Sequence, residues 1–337
     1  MLALVTGATG FLGSHLVQRL REARHQVRAL VRDPKKTQVL DGMGAELIHG
    51  DVTSPASLTS AVKGVEVIFH AAALVAGWSN WSAYLATTVQ GTENVLTAAL
   101  HASVQRFVHV STIRVYDDRH ALKHGIVTEE SPQGERGFRH FGHYARAKVM
   151  AEAAVWRYQD RMPVTVIRPA WIYGPRDEVI IPPMIRYLGD PSAFWPGSVD
   201  PCADPIYVTD VADCAIAAAI HPAGVNQAYN AAPHERITAR VFLRQLCDEL
   251  GIKMPTRSMP YFLSSGFAYF WETWAMVTMR RTPPPVTHAG LAMLSADVRH
   301  DPTKADCDLG WRSKVNLSDG IQQTAAWLRR CHPEVFR

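Results

Sequence analysis

The chain has 337 residues, 47% hydrophobic and 20% charged, a globular composition long enough for one large domain or two modest ones, and unlike that of a disordered chain. Its formal charge is only +4, with Lys and Arg scattered, which argues against nucleic-acid partners and leaves anionic small ligands open. Five widely spaced cysteines without a C-x-x-C pair suggest neither a disulfide framework nor a zinc site, so no metal is expected and a reducing cytoplasm fits best.

Leu2 to Thr6 is a short apolar, partly β-branched run that predicts a buried strand. Phe11 to Leu20 then sets Leu12, Leu16 and Leu20 at helical spacing. A strand at the very start leaves no room for a signal peptide, and the sequons at Asn80 and Asn316 are read as chance. Between strand and helix, LVTGATGFLGSHL carries Gly7, Gly10 and Gly13. Glycine there permits positive φ, close approach to a phosphate and tight packing of helix on sheet, while the helix N-terminus offers free N–H groups to an anion. A triplet of glycines by itself also marks ordinary turns. Here a second strand, Gln26 to Val31, completes a βαβ unit, and the implied ligand is a dinucleotide pyrophosphate.

Further apolar runs at Glu46 to His49, Val65 to His70, Phe107 to Ser111 and Val164 to Arg168 alternate with helical patterns. The predicted fold is α/β, a doubly wound parallel sheet of Rossmann type. Beyond Arg168, eight prolines between positions 169 and 205 break the rhythm, which returns at Ile206 to Val208 and in the helical stretch Val211 to Ile220. The expected division is a dinucleotide-binding domain of residues 1–170 with 206–235, and a smaller discontinuous substrate lobe of 171–205 with 236–337.

In HYARAK, Tyr144 and Lys148 stand four apart and share one helix face. A tyrosine has a reference pKa of about 10, and an adjacent ammonium stabilises the phenolate by about 1.4 kcal/mol per unit of depression. Tyr144 could then serve as acid for a carbonyl oxygen receiving hydride, and as base in reverse. The same spacing also fits a half-exposed tyrosine with a solvated lysine. In HVSTIRVY a strand ends at Ser111 and Thr112, at the carboxyl edge where open α/β sheets bind ligands. The Thr112 hydroxyl could orient a substrate oxygen or bond its own turn. His140 and His143, near the tyrosine, read as solvated loop residues. GWSNWSAY carries Trp78, Trp81 and Tyr84, and residues 260–281 are apolar on nearly every face, which suggests an oily substrate. That second stretch reads as a helix packed on the core, or as a lid or interfacial contact. Glu272, Gly266 and its limited length argue against a spanning helix.

With these residues in place the chain resembles the extended short-chain dehydrogenase/reductases, in particular their 3β-hydroxysteroid dehydrogenase-like branch. The resemblance runs over nearly the full length: TGATGFLG, GDV at 50–52, FHAAALV at 69–75, VQGTENVL at 89–96, VSTIRVY, the Tyr-Lys pair, RPAWIYGP at 168–175, YVTDVA at 207–212 and DPTKADCDLGW at 301–311. It implies that Gly7, Thr9, Gly10, Phe11, Leu12 and Gly13 hold the cofactor, that Asp51 beside Val52 bonds the adenine, and that Ala71, Ala72 and Ala73 line the ribose. It implies further that Thr112, with Thr in place of the commoner Ser, joins Tyr144 and Lys148 as the catalytic set. Lys148 would also hold the nicotinamide ribose, Pro169 would lie beside the nicotinamide, and Trp78, Trp81, Thr112, Trp171 and Trp274 would meet substrate. One departure is Thr88, where the family usually has Asn.

NAD-selective relatives place an acid at the end of the second strand. This chain has Val31 there and Arg32 next, while Asp33 reads as a turn residue before Pro34. A guanidinium contact to a 2'-phosphate is worth about 1.5–3 kcal/mol, so NADP(H) is the expected cofactor, with Lys35 and Lys36 as helpers and NAD(H) as the alternative. The expected activity interconverts a ketone and a secondary alcohol on a hydrophobic substrate that is steroid-like, flavonoid-like or a β-keto acid. A nucleotide-sugar epimerase/dehydratase is the enzymatic alternative. Ala203 and Pro205 of ADPIYV lack the arginine that a sugar diphosphate would want there. An NADP-sensing scaffold is the non-enzymatic alternative, against which the retained Tyr-Lys pair argues. A homodimer is expected, with peripheral membrane contact through residues 260–280.

Overall fold

Leu2–Thr6 (β1) is buried over its last four residues and pairs in parallel on both sides, with Gln26–Val31 (β2) and with Val67–His70 (β4). The computed structural model describes residues 1–75, 79–134, 142–197, 200–278, 287, 290–291, 294 and 297–336. Glu46–His49 (β3) joins β2 at one edge. Arg106–Val110 (β5), Val164–Pro169 (β6) and Gln227–Ala231 (β7) extend the sheet on the other side. The seven strands run β3-β2-β1-β4-β5-β6-β7, all parallel. Such a sheet is covered on both faces, and every residue of β4 and of β6 is buried, the polar His70, Thr165 and Arg168 included. The strand order reverses between β1 and β4, and their carboxyl ends open a crevice there.

One face is covered by the Phe11–Glu22 and Val208–Ile220 helices, which bring Leu16, Val17, Val211 and Ala215 onto Val5 and Phe69. The opposite face packs Leu4, Ile68 and Phe107 under Leu96 and Val155 of the Gly91–His101 and His143–Trp156 helices. A third core gathers Trp171, Tyr173, Ile185, Phe242, Leu246 and Leu328, from the Ile181–Leu188, Ala239–Leu250 and Leu317–Cys331 helices and the parallel strands Trp171–Tyr173 and Pro205–Tyr207. Both sequon asparagines act as helix N-caps: Asn80 Oδ1 accepts from Ala83 N at 3.1 Å and Asn316 Oδ1 from Asp319 N at 2.9 Å.

The boundaries differ from the predicted ones for local reasons. β4 starts at Val67, because Val65 N donates to Val62 O in the turn that closes the preceding helix. Ser111 falls just past β5, although its N–H still donates to Ile167 O at 2.7 Å. The helix predicted over Val211 to Ile220 begins at Val208. β7, with the sequence QAYNA, lacks the β-branched run that marks a strand in sequence, and its alanines suit a strand pressed under a helix.

Across the sheet's carboxyl edge, Arg168 of β6 meets Glu152 of the His143–Trp156 helix, and the two are 3% and 0% exposed. Ser111 Oγ and Gln133 Nε2 each donate to the same carboxylate at 2.6 Å. Arg168 Nη1 donates to Tyr116 Oη at 2.9 Å, and that hydroxyl donates to Asn230 Oδ1 at 2.6 Å. Arg168→Met leaves a buried carboxylate without its cation and is expected to cost about 3–5 kcal/mol. Urea unfolding should show that loss, and should show most of it recovered in Arg168→Met/Glu152→Leu, where neither charge remains.

Candidate active site

The glycine turn is bare because its neighbours leave no room. Gly7 has φ +68°, a Cβ there would lie 2.8 Å from Ala72 N, and one on Gly13 would lie 2.0 Å from Gly7 O. Gly10 N donates to Gly7 O at 2.9 Å, which closes the turn. The Phe11–Glu22 helix that follows has no side-chain cap and no acid in its first turn. Its open N–H groups therefore suit an anion, and the cradle fits a dinucleotide pyrophosphate. Gly7, Thr9, Gly10, Phe11, Leu12 and Gly13 all line one cavity of about 1590 Å³.

At one end of that cavity lie Arg32, Asp33, Lys36, Asp51 and Val52. Arg32 follows β2 directly, is 68% exposed at its side chain, and holds Nε 3.9 Å from Asp51 Oδ2. The Asp33 carboxylate is committed to a turn, where it accepts from Lys35 N at 3.0 Å and caps a 3-10 helix. Lys35 lies outside the lining. Ala71, Ala72 and Ala73 form the wall after β4. Ala72 N donates to Thr6 Oγ1 at 3.3 Å, and Leu74 N to Thr88 Oγ1 at 3.1 Å. Thr88 is fully buried in a π-helical turn, Leu85–Gln90, so the residue that departs from the family pattern anchors the chain just past Ala73. Beneath it His70 bridges Thr6 Oγ1 (2.8 Å) and Thr92 Oγ1 (3.0 Å). Burial, reinforced by the charge of Lys148, pulls the His70 pKa down to about 3.

Tyr144, Lys148 and Glu152 recur every four residues, so the His143–Trp156 helix turns all three to one side. The Thr112 hydroxyl accepts from Arg114 N at 3.3 Å, the turn bond that was one of its two predicted uses, and it lies close enough to the Tyr144 phenol to favour the phenolate. Lys148 is 3% exposed and donates from Nζ to Val110 O at 2.6 Å. Burial pulls its pKa down to about 8, against the raising effect of Glu152 one turn on. The expected depression of the tyrosine by this lysine is corrected by the structure. Burial pushes Tyr144 up to about 12, and what pulls it back is Thr112 and the guanidinium of Arg114. Beside Lys148, His109 stacks on His70 at 5.6 Å. Burial, then the Lys148 charge, holds it neutral, and neither ring nitrogen has a partner among the described residues.

The far end is lined by Pro169, Trp171, Cys202, Ala203, Tyr261 and His300, and Arg114, Asp117, Asp118 and Arg119 line the same cavity. Trp171 is 6% exposed, packs edge-on against Phe242 at 5.0 Å, and has no partner for Nε1 among the described residues. Two other tryptophans expected at the substrate do not line the cavity. Trp81 opens a short helix capped by Asn80 and packs against His143 (5.5 Å) and under Arg146 (4.6 Å). Trp274 is 49% exposed on the outer side of the Tyr261–Val277 helix. Trp78 and His140 lie outside the described residues. Glu152, by contrast, had escaped notice, although one more step of four residues along HYARAKVMAE reaches it.

The family model of the NAD-dependent epimerases/dehydratases matches residues 3–232. The chain belongs to this family. It is 30% identical to an uncharacterised protein of Escherichia coli (strain K12), YbjS, over 98% of each chain. It is 29% identical to the 4-hydroxy-2-methyl-3-oxo-4-farnesyl-3,4-dihydroquinoline-1-oxide ketoreductase of Stigmatella aurantiaca over 95% of each. It is also 29% identical to the 3beta-hydroxysteroid-dehydrogenase/decarboxylase isoform 2 of Arabidopsis thaliana, over 95% of this chain and 61% of that one. Among solved structures it is similar to gox2253, with a TM-score of 0.80 and 27% identity over 98% of both chains. As a family member it is an NAD-dependent oxidoreductase acting on CH–OH groups, related to the 3β-hydroxysteroid dehydrogenase-like branch.

Lys148 binds its proton less tightly in the fold (about 8) than the ordinary 10.5. Between these values the unfolded chain holds more protons, so the cofactor-free protein gains stability as pH rises through the window. Lys148→Met lacks this gain. Chemical unfolding across that range should show the stability difference shifting toward the wild type as pH rises, whereas a constant difference would mean an ordinary lysine.

Proposed function

We propose that the protein is an NADPH-preferring reductase that interconverts a ketone and a secondary alcohol on a hydrophobic substrate, with Tyr144 as the acid or base. The observation that carries this reading is a single cavity lined by the glycine turn, Arg32, Thr112, Tyr144, Lys148 and Trp171. One end carries the exposed guanidinium of Arg32 and the other the rings of Trp171 and Tyr261, and the ketoreductase of Stigmatella aurantiaca is a full-length relative.

When bound, the nicotinamide supplies hydride to the carbonyl carbon, or takes it in the reverse direction. Thr112 Oγ1 positions the carbonyl oxygen beside the Tyr144 phenol, whose proton moves to that oxygen as negative charge develops. With its pKa pushed up to about 12, Tyr144 holds its proton at neutral pH, as an acid for ketone reduction must. The Lys148 ammonium would hold the ribose hydroxyls, and Glu152 one turn on favours its charged form. Trp171 Nε1 is a buried donor in the far wall, where an acceptor on the substrate would satisfy it. The third core, around Trp171 and Phe242, is assigned to the substrate lobe.

Tyr144→Phe is expected to keep NADPH affinity and lower turnover at least about a hundredfold, the usual share of general acid catalysis. Fluorescence titration beside steady-state kinetics on a hydrophobic ketone checks this, and turnover near wild type would remove Tyr144 from the mechanism. Arg32→Ala is expected to raise the KM for NADPH by about tenfold to a hundredfold and leave that for NADH almost unchanged, because only NADPH carries the 2'-phosphate. Equal changes for both cofactors would sink the NADPH preference.

A further inference from the structure

The Tyr261–Val277 helix is built inside out. Its inward stripe is small or polar, with Ser264, Ala268 and Glu272 at 0% exposure and Ala275 at 1%. Its outward side carries Phe262, Phe267, Tyr269, Phe270, Trp274 and Val277, exposed by 49–73%. A helix that served only the core would turn those side chains inward, and so large an apolar patch marks an interaction site. Among the described residues no helix is long and apolar enough to cross a membrane.

Charge selects the occupant. Residues 252–290 hold Lys253, Arg257, Arg280 and Arg281 against one acid, Glu272, and that acid is buried. The stretch thus carries +3, in a chain whose whole formal charge is +4. A second copy would bring the same +3 against it, whereas an anionic lipid surface complements it. Tyrosine and tryptophan, apolar with one polar atom, suit headgroup depth. Tyr261, at the start of the helix, lines the same cavity as Tyr144 and Trp171, so the outward face adjoins the site.

We propose that the Tyr261–Val277 helix lies in the plane of an anionic lipid surface, its aromatic side among the headgroups, and seats the cavity beside the bilayer. The seating stands without the reductase reading. Its consequence, that the substrate is drawn from the membrane, rests on that reading.

Flotation with phosphatidylcholine vesicles, with and without phosphatidylglycerol, tests the seating. The wild type is expected to float with the anionic vesicles and to lose at least about tenfold in partitioning on pure phosphatidylcholine or at high salt. Phe262→Ser/Phe270→Ser should lower partitioning at least about tenfold with an unchanged Tm, since both side chains are exposed. Lys253→Glu/Arg257→Glu should weaken anionic-vesicle binding without affecting folding. A wild type that stays with neither vesicle, or a serine variant that floats like the wild type, would overturn the proposal. So would a wild-type dimer that becomes monomeric in the serine variant while vesicles go unbound, which would give this face to a second copy. Under the reductase reading, anionic vesicles should also raise turnover of a bilayer-dissolved ketone and leave that of a water-soluble ketone unchanged. Flotation without that stimulation keeps the seating and removes the consequence.

Discussion

The arrangement depends on the buried pair of Glu152 and Arg168. Both side chains are almost wholly withdrawn from water, so neither charge is tolerable without the other. Their contact fixes the His143–Trp156 helix against the carboxyl ends of β5 and β6. Those strand ends carry Ser111, Thr112 and Pro169, and the same helix face carries Tyr144 and Lys148. One ion pair thus sets the distance between the groups to which the proposed function gives cofactor and substrate. It also explains a lysine in an apolar place: burial pulls Lys148 toward neutrality, and the carboxylate one turn below opposes that shift.

The cavity joins two chemistries along one wall. At the glycine turn a backbone without side chains and an uncapped helix present N–H groups. At the far end Trp171 and Tyr261 give an apolar lining. Tyr144 lines the same cavity, protonated at neutral pH with Thr112 beside it. A phenol so placed can give its proton to a carbonyl oxygen and take it back in the reverse direction. Cofactor binding beside Lys148 would alter that balance, because the ammonium now engaged with Val110 O would gain ribose hydroxyls as partners.

Much of this was legible in the sequence. The bounds of β1, β2 and β3 follow directly from their apolar runs, and the glycine turn and the Tyr144–Lys148 face follow from spacing alone. What escaped is what periodicity does not encode. A step of four residues says that two side chains share a face, but not that a buried arginine from another strand meets the next one along, as Arg168 meets Glu152. Nor could an apolar helix declare which side it turns inward, so Trp274 was expected at the substrate and stands in solvent. Trp81 was misplaced because the cap at Asn80 and the π turn after it, not the residue type, aim it at His143. β7 was missed because its alanines are chosen by packing rather than by strand propensity.

In the proposed reaction this cavity transfers hydride to a ketone and releases an alcohol. The most direct measurement incubates the enzyme with NADPH carrying deuterium at the reactive C4 position and a hydrophobic ketone, followed by mass spectrometry of the product. One deuterium is expected on the carbinol carbon for each NADPH oxidised, and none in Tyr144→Phe beyond its residual turnover. An oxidised cofactor retained by the protein, with a sugar nucleotide inverted at one carbon and no net consumption of NADPH, would contradict it.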